Sequence, residues 1–593
     1  MVASLGLAML FPLIDLFGRP LGSFHISTGA ATVQQLTLWL AFVGGLLATR
    51  EGVHLTLSTT ELFGEGALRR AARLAACAVS AAVCAVLAYG SVQLVQANRQ
   101  EAKVIIAGIP EWVSECVMPL ALALMALRFA LAASTTSWWP RVVALAAIGA
   151  AFALGLVPTQ AGHVAWPLAL LVLAAVLLGA PVFVAMGGLA LILFFKDGTP
   201  VAAVSAEVYR LIASPTLPAI PLLTACGYIL AESGASTRLV RLFRALFGSI
   251  PGGIAVMVAA VCALFTTFTG GSGLTIIALG GLVYPILRKD GYPEGFSLGL
   301  VTASGSLGLL FPPSLPVILY SVVTSARDLS VPADALYLAG LVPGLLLVVL
   351  VAGYGVYMGR KLGTARQGFS AREVARSAWE AKWELGLPVF IIVLFATGLA
   401  SMVQTAAAAM AYAIVVECFV TRDISPRAMV PVLVRASALV GAVLILLSVA
   451  MGLTSYLVDA QIPDQLLGWV KVHIHSRVVF LLVLNVILLV LGSVLEIYSA
   501  IIVLAPIIAP MAAAFEVNPV HLGIIFLANL ELGFLFPPMG LNLFLSSSRF
   551  GKPLPALYRE VVPFLVILGI GVLLITYVPE MSLGLVRALG RQP

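Results

Sequence analysis

The run Gly308-Leu309-Leu310-Phe311-Pro312-Pro313 returns as Gly533-Phe534-Leu535-Phe536-Pro537-Pro538, on both occasions inside apolar sequence. Proline removes an amide donor and frees a carbonyl one turn earlier, so each copy interrupts a helix. In hydrocarbon no water satisfies such carbonyls, and non-helical backbone survives there only when buried in protein or lining a polar cavity. A single Pro-Pro break reads as a kink that bends a packing helix. Two corresponding breaks point instead to an internally repeated secondary transporter, whose discontinuous helices hold substrate and ion near the bilayer midplane.

Composition supplies the bilayer: at 593 residues, 61% hydrophobic and 10% charged, the chain is an all-α polytopic membrane protein rather than a water-soluble one. Stretches such as Leu168 to Phe195, Leu338 to Tyr357 and Val478 to Leu491 are candidate spans, and about 14 to 16 spans or half-spans are expected. The net charge of +7 does not indicate nucleic acid, because the basic residues sit in short loops between apolar runs, as topology signals do. The loop carrying Arg360, Lys361, Arg366, Arg372, Arg376 and Lys382, against Glu373, Glu380 and Glu384, is expected to face the cytoplasm, as is the turn with Arg422 and Arg427. Cys77, Cys84, Cys116, Cys226, Cys262 and Cys418 stand singly without metal-type spacing and read as small buried hydrophobes. The apolar N-terminus lacks a basic start and an Ala-x-Ala-like site, so it is expected to stay in the membrane.

A polar, Trp-bearing stretch at Ser134 to Arg141 and the Pro158 to Gly162 break divide the chain. Residues 1–140 read as a scaffold of about four helices with charges at their ends, such as Arg50 and Glu51 against Arg69, Arg70 and Arg73. Residues 141–163 read as a linker helix, and 164–593 as the larger transport and scaffold region, with repeats around 222–325 and 478–548. Within the repeats, Gly271-Ser272 aligns with Gly492-Ser493 and Pro285 with Pro506 at an offset of 221, whereas Phe311 aligns with Phe536 at 225. Each half reads as two apolar helices meeting at a Gly/Ser tip, then a polar turn, then the broken helix. The tips, Phe268 to Gly273 and Leu491 to Ser493, are flanked by apolar residues too short to span separately, a pattern of re-entrant hairpins. Close helix packing through small residues is the competing reading.

A small cation needs several oxygens, which helix-end carbonyls and neutral hydroxyls provide, while half-helix N-termini favour an anionic substrate. Ionisable residues inside apolar helices are costly and face a cavity or a partner. That singles out Glu496 and Glu531, each either a functional group or a structural hydrogen bond across the repeat. Thr275, Ser304, Ser306 and Asn529 are neutral candidates for the same cavity, with Gly271 and Gly273 at the first tip. His25, His54, His163, His473, His475 and His521 lie near helix ends or loops and read as solvated or interfacial. No phosphate loop, metalloprotease helix or serine-histidine spacing supports an enzyme.

The stretch Gly270-Gly271-Ser272-Gly273-Leu274-Thr275 running on to Pro285, then Lys289-Asp290-Gly291-Tyr292-Pro293, then Ser304 to Ser314, closely resembles the large membrane subunit of tripartite ATP-independent periplasmic transporters. Gly248 to Gly253 is similar to a signature of the same family, and Leu40 to His54, with its Arg50-Glu51-Gly52-x-His54 ending, resembles the small membrane subunit. The resemblance therefore implies a natural fusion of both subunits in the bacterial inner membrane. It further implies uptake of a carboxylate or sugar acid, driven by sodium ions, from a periplasmic substrate-binding protein, with an elevator movement of the two hairpins and broken helices. Carried over by motif, one sodium site uses Ser272 with carbonyls near Gly308, Phe311 and Pro313. The other uses Gly492 and Ser493 with Gly533, Phe536 and Pro538. One departure is visible: where the family has a glutamate before an Ala-rich helix, this chain has Gln404. The alternatives are a binding-protein-independent sodium/divalent-anion symporter, which the extra N-terminal helices argue against, an intramembrane enzyme using Ser272 or Glu531, and a purely structural scaffold.

Overall fold

The apolar runs fold as helices because only a helix satisfies its own amides and carbonyls without water. The structure, a computed structural model, describes residues 1–18, 29–54, 56, 66–101, 104–106, 109–134, 138–155, 161–325, 331–364, 368–397, 399–537 and 540–590. Among these it is almost entirely α-helical, with one short antiparallel pair of strands, Val104–Ile106 and Ile109–Pro110. Nine described helices are long and apolar enough to cross a membrane, and eight shorter ones are apolar. The stretch Leu168 to Phe195, read above as one candidate, is two helices, Ala161–Leu177 and Val182–Lys196. Gly179, at φ +99°, ends the first, and the amides of Gly179 and Ala180 return to Val176 O and Ala175 O.

The chain forms two compact units, one of Met1–Leu222 with Leu433–Gln465, the other of Leu223–Val432 with Leu466–Pro593. In the first, helix Gly29–Glu51 meets helix Pro426–Asp459 through glycine on glycine. A Cβ on Gly44 would lie 2.6 Å from Ser437 O, and one on Gly441 would lie 2.2 Å from Gly44 C, so both positions must lack a side chain. His54, just beyond the end of helix Gly29–Glu51, is buried against Phe129 and Phe183, with its Nε2 2.7 Å from Thr49 Oγ1. His521, in the second unit, is also buried, so both depart from the solvated reading. His25 and the side chain of His163 lie outside the described residues.

The second unit contains both copies of the motif. The first half has a leading helix Gly253–Thr269, returning helices Ser272–Ala278 and Gly280–Lys289, a proximal piece Glu294–Ser304 and a distal piece Leu315–Ser325. The second half has a leading helix Arg477–Val494, a returning helix Ile497–Ala514, a proximal piece Pro519–Gly533 and a distal piece Leu541–Phe550. One register relates the halves: residues 272 and 497 open the returning helices and 294 and 519 open the proximal pieces, both pairs differing by 225. The offset of 221 at the tips is therefore corrected. Gly492 and Ser493 lie within the leading helix, and the second tip is Leu495-Glu496, both extended. The reason is capping: the Glu496 carboxylate accepts the Tyr498 amide at 2.9 Å and so fixes where the returning helix begins. Each arm of the second tip is 18 residues long, so the expectation of arms too short to span fails there.

Gln404, the departure from the expected glutamate, opens helix Met402–Val415. Its Oε1 accepts the Ser401 amide at 2.9 Å while its own amide donates to Ser401 Oγ at 3.3 Å. Glutamine and glutamate serve this capping box equally, so the helix start does not need the charge.

Candidate ion and substrate site

The first tip is built by two glycines with different tasks. Gly270, at φ +66°, takes the left-handed turn that closes the leading helix. Gly271 is extended, and a Cβ there would meet nothing within 4 Å, which leaves open space beside the tip. Ser272 begins the returning helix, buried, and its Oγ has no hydrogen-bond partner among the described residues. Gly273 is more confined, its Cβ position lying 3.0 Å from Leu545 Cδ1.

Threonines and main-chain carbonyls gather behind this tip. Thr266 Oγ1 lies 2.8 Å from Cys262 O, 2.8 Å from Thr275 Oγ1 and 2.9 Å from Gly305 O. One hydroxyl proton cannot serve two carbonyls at once, so the cluster holds more acceptors than donors. Thr267 Oγ1 reaches Gly308 O at 3.3 Å, and Tyr498 OH donates to Gly270 O at 3.0 Å from the other half. Gly308 stands where a Cβ would lie 2.1 Å from Ala263 O, so the first break presses directly onto the leading helix. Phe311 is half-buried, with its ring against Gly344, and Pro313 is buried. Ser304 Oγ, fully buried one turn before, has no partner among the described residues.

A second polar cluster crosses between the halves. Asn542 Nδ2 donates to Thr302 O and to Ser306 Oγ, each at 3.2 Å, and Thr302 Oγ1 donates to Ser546 Oγ at 2.8 Å. The structure thus brings Thr275 and Ser306 into polar clusters of the first half, and leaves Ser272 and Ser304 beside them with unused hydroxyls.

The second half is arranged differently. Gly533 abuts Gly492, with a Cβ position 2.7 Å from Gly492 C, which is the same contact that Gly308 makes with Thr267 one repeat earlier. Ser493 Oγ donates within its own helix to Val490 O at 2.7 Å. The carbonyls of Gly533 and Phe536 accept the amides of Phe536 and Gly540 at 2.9 and 3.2 Å, each keeping a second lone pair. Pro538 lies outside the described residues. Glu496 is the helix cap, a local bond to the Tyr498 amide rather than the bond across the repeat named as its alternative. Asn529 belongs to another network: its Nδ2 donates to Asn485 Oδ1 at 2.5 Å, which also accepts from Thr576 Oγ1 at 3.1 Å. Glu531 is 1% exposed, and neither of its oxygens has a partner among the described residues.

Thr266, Thr267, Thr302, Tyr498, Asn542 and Asn485 were missed in the sequence. A lone asparagine within an apolar run, as at 485 and 542, was a readable signal; the threonines were not, because each bonds back to its own helix at i−4 as well. Among the described residues no three His, Cys, Asp or Glu side chains group to hold a metal.

Comparison with known proteins follows the same division. Residues 168–581 match the model of the tripartite ATP-independent periplasmic transporter DctM component, and residues 8–138 that of the DctQ component. The C4-dicarboxylate TRAP transporter large permease protein DctM of Pseudomonas aeruginosa is 35% identical over 406 residues, 68% of this chain and 93% of the relative. That of Rhodobacter capsulatus is 32% identical over 71% of this chain and 98% of its own length. The isethionate TRAP transporter permease protein DctMQ of Oleidesulfovibrio alaskensis is 30% identical over 68% of this chain and 64% of its own. Among solved structures, the Alcanivorax borkumensis YdaH transporter matches with TM-score 0.47 at 16% identity, over 64% of this chain and 88% of that one.

Proposed function

This chain belongs to the tripartite ATP-independent periplasmic transporters, with small and large membrane components in one polypeptide, and from that premise we propose sodium-coupled uptake of an organic anion. It is a multi-pass membrane permease rather than an enzyme. The anion is a carboxylate or sulfonate of the kind that the relatives' names carry, delivered by a periplasmic substrate-binding protein to a permease in the inner membrane.

The observation that carries the reading is the surplus of oxygen acceptors at the first break. Thr266, Thr275 and Gly305 O converge there, beside unpartnered hydroxyls on Ser272 and Ser304, in otherwise apolar surroundings. Such a set of neutral oxygens carries more lone pairs than its hydroxyl protons can fill, which is what a desolvated sodium ion needs. A cation held there offsets the charge of an anion bound at the adjoining tip, where Gly271 leaves open space. Neither ion is then buried uncompensated, which gives obligatory coupling a physical cause. The single register of 225 supports reading the two halves as repeats; in this reading they are inverted, each carries a hairpin, and they move together as an elevator.

The test is uptake into proteoliposomes with a cognate binding protein carrying radiolabelled dicarboxylate or isethionate. Uptake is expected only with both the binding protein and an inward sodium gradient. Equal uptake with potassium replacing sodium overturns the coupling, and equal uptake without the binding protein favours the binding-protein-independent symporter.

A further inference from the structure

The repeat register exposes an imbalance at one position. Ser306 of the first half corresponds to Glu531 of the second, 225 residues on, and Asn542 corresponds to Val317 by the same step. In the first half, the hydroxyl of Ser306 is met by the Asn542 amide at 3.2 Å. The same elements meet in the mirrored pairing, since the proximal piece Pro519–Gly533 packs on the distal piece Leu315–Ser325 just as Glu294–Ser304 packs on Leu541–Phe550. By the same register, the residue that takes the place of Asn542 in that pairing is Val317, fully buried and without a side-chain donor, preceded by Pro316. The chain therefore places its one ionisable group of this layer where the repeat has withdrawn the partner. The result is a carboxyl group that is 1% exposed with both oxygens unpaired.

The neighbouring helices keep their charges away from this position: Glu580–Ala588, which meets the His521 end of Pro519–Gly533, pairs its Arg587 with its own Glu580. Leu315–Ser325 and Ile497–Ala514 contain no charged residue, and Arg477–Val494 has only Arg477, at its first position. Ala333–Leu362 and Leu554–Tyr577 carry theirs near the ends, at Asp334, Arg360, Lys361, Arg559 and Glu560. Pro519–Gly533 itself adds only His521, which is bound to Ser582 and the Thr576 carbonyl. A buried carboxylate without hydrogen bonds or a counter-charge is costly, so the group takes up either a proton or a cation. Binding the anionic substrate there would add like charge.

We propose that Glu531 is an anionic ligand for a co-transported sodium ion, which makes the second half of the repeat the stronger cation-binding half. This rests on the sodium-coupled reading above. Among the described residues the first half offers neutral oxygens, whereas the second also carries a buried carboxyl group two residues before its break. Glu531 and Gly533 stand about 200° apart on their helix, and Gly533 is turned to Gly492, so Glu531 lies on the helix face away from that contact.

The test is sodium binding to the purified full-length protein in nanodiscs, followed by tryptophan fluorescence at constant ionic strength with potassium as balance. For Glu531→Gln, half-saturation is expected to rise about tenfold or more, because contacts to a charged group exceed those to a neutral one, with a lower Hill coefficient. Glu531→Asp should recover part of the affinity. Val317→Asn, which returns the missing donor while keeping the acid, should also weaken sodium binding, and it serves if Glu531→Gln does not fold. Unchanged sodium affinity and Hill coefficient in Glu531→Gln, or in folded Val317→Asn, overturn the proposal. Absence of any sodium response in the unsubstituted protein instead overturns the coupling itself.

Discussion

Arg238 allows a quantitative test of what holds the second unit together. It sits on helix Ala235–Phe247 and gathers three carboxylates: Glu384 beside its Nη2, Glu417 at 3.4 Å and Asp423 at 2.6 Å. Glu384 is 1% exposed, Glu417 0%, Asp423 24% and the arginine 19%. Replacing Arg238 with methionine fills the volume and strands two buried acids, a change worth about 3–5 kcal/mol for a buried pair that loses one partner. The Asp423 pair is partly solvated and adds about 1 kcal/mol or less. Arg238→Lys keeps the charge but cannot bridge three carboxylates from a planar fork, so it should fall between. Adding Glu417→Gln to Arg238→Met removes an acid left with only the Thr421 hydroxyl, at 3.1 Å, and is expected to restore about 1–2 kcal/mol, a buried charge without a counter-charge costing more than a buried amide. Denaturant unfolding in detergent, read by fluorescence, gives the order wild type, Arg238→Lys, the double variant, Arg238→Met. An Arg238→Met loss below about 1 kcal/mol, or a double variant less stable than Arg238→Met, would refute the reasoning.

Three further outcomes are expected. His54, held at a pKa of about 4 chiefly by burial and opposed by a hydrogen bond to the Gly45 carbonyl, is neutral in the fold while the unfolded chain takes a proton from pH ~6.5 downward. Its contribution is complete above pH ~6.5 and falls by about 3 kcal/mol as pH drops to 4, so His54→Gln should flatten melting temperature against pH over that window. Gly308→Ala should cost about 1–3 kcal/mol by overpacking against Ala263 O, whereas Gly271→Ala should leave the melting temperature unchanged; the reverse order would contradict both placements. Ser401→Ala should cost about 1 kcal/mol through loss of the cap, and Gln404→Glu should stay within about 0.5 kcal/mol of wild type, measured by the same unfolding assay.

The broken helices were legible because a Pro-Pro pair acts locally: Pro312-Pro313 and Pro537-Pro538 each remove two successive amide donors and disfavour the helical conformation at the first proline, whereas the single Pro506 and Pro510 lie within a helix. The first tip was legible for a like reason, since Gly270 alone tolerates its positive φ. The second tip was misplaced because two glycines of the same appearance do different work. Gly270 turns the chain, while Gly492 makes room for Gly533, a task set by a helix 41 residues away in sequence that no local pattern records. Pro506 strengthened the wrong register because Pro510, the true counterpart of Pro285, lies one helical turn further along. The polar clusters escaped for the same reason as Gly492: Thr266 meets Gly305 and Asn542 meets Ser306 only after distant helices have packed.

The glycine crossing of Gly44 and Gly441 sets how the two components can be separated. Helices that lie nearly 400 residues apart touch main chain to main chain, with no side chain and no space for an acyl chain between them. Adhesion of that kind depends on shape alone and needs no peptide bond in the segment joining the components. Cutting the polypeptide there and producing the fragments from separate messages should still yield one particle that purifies through a tag on either fragment.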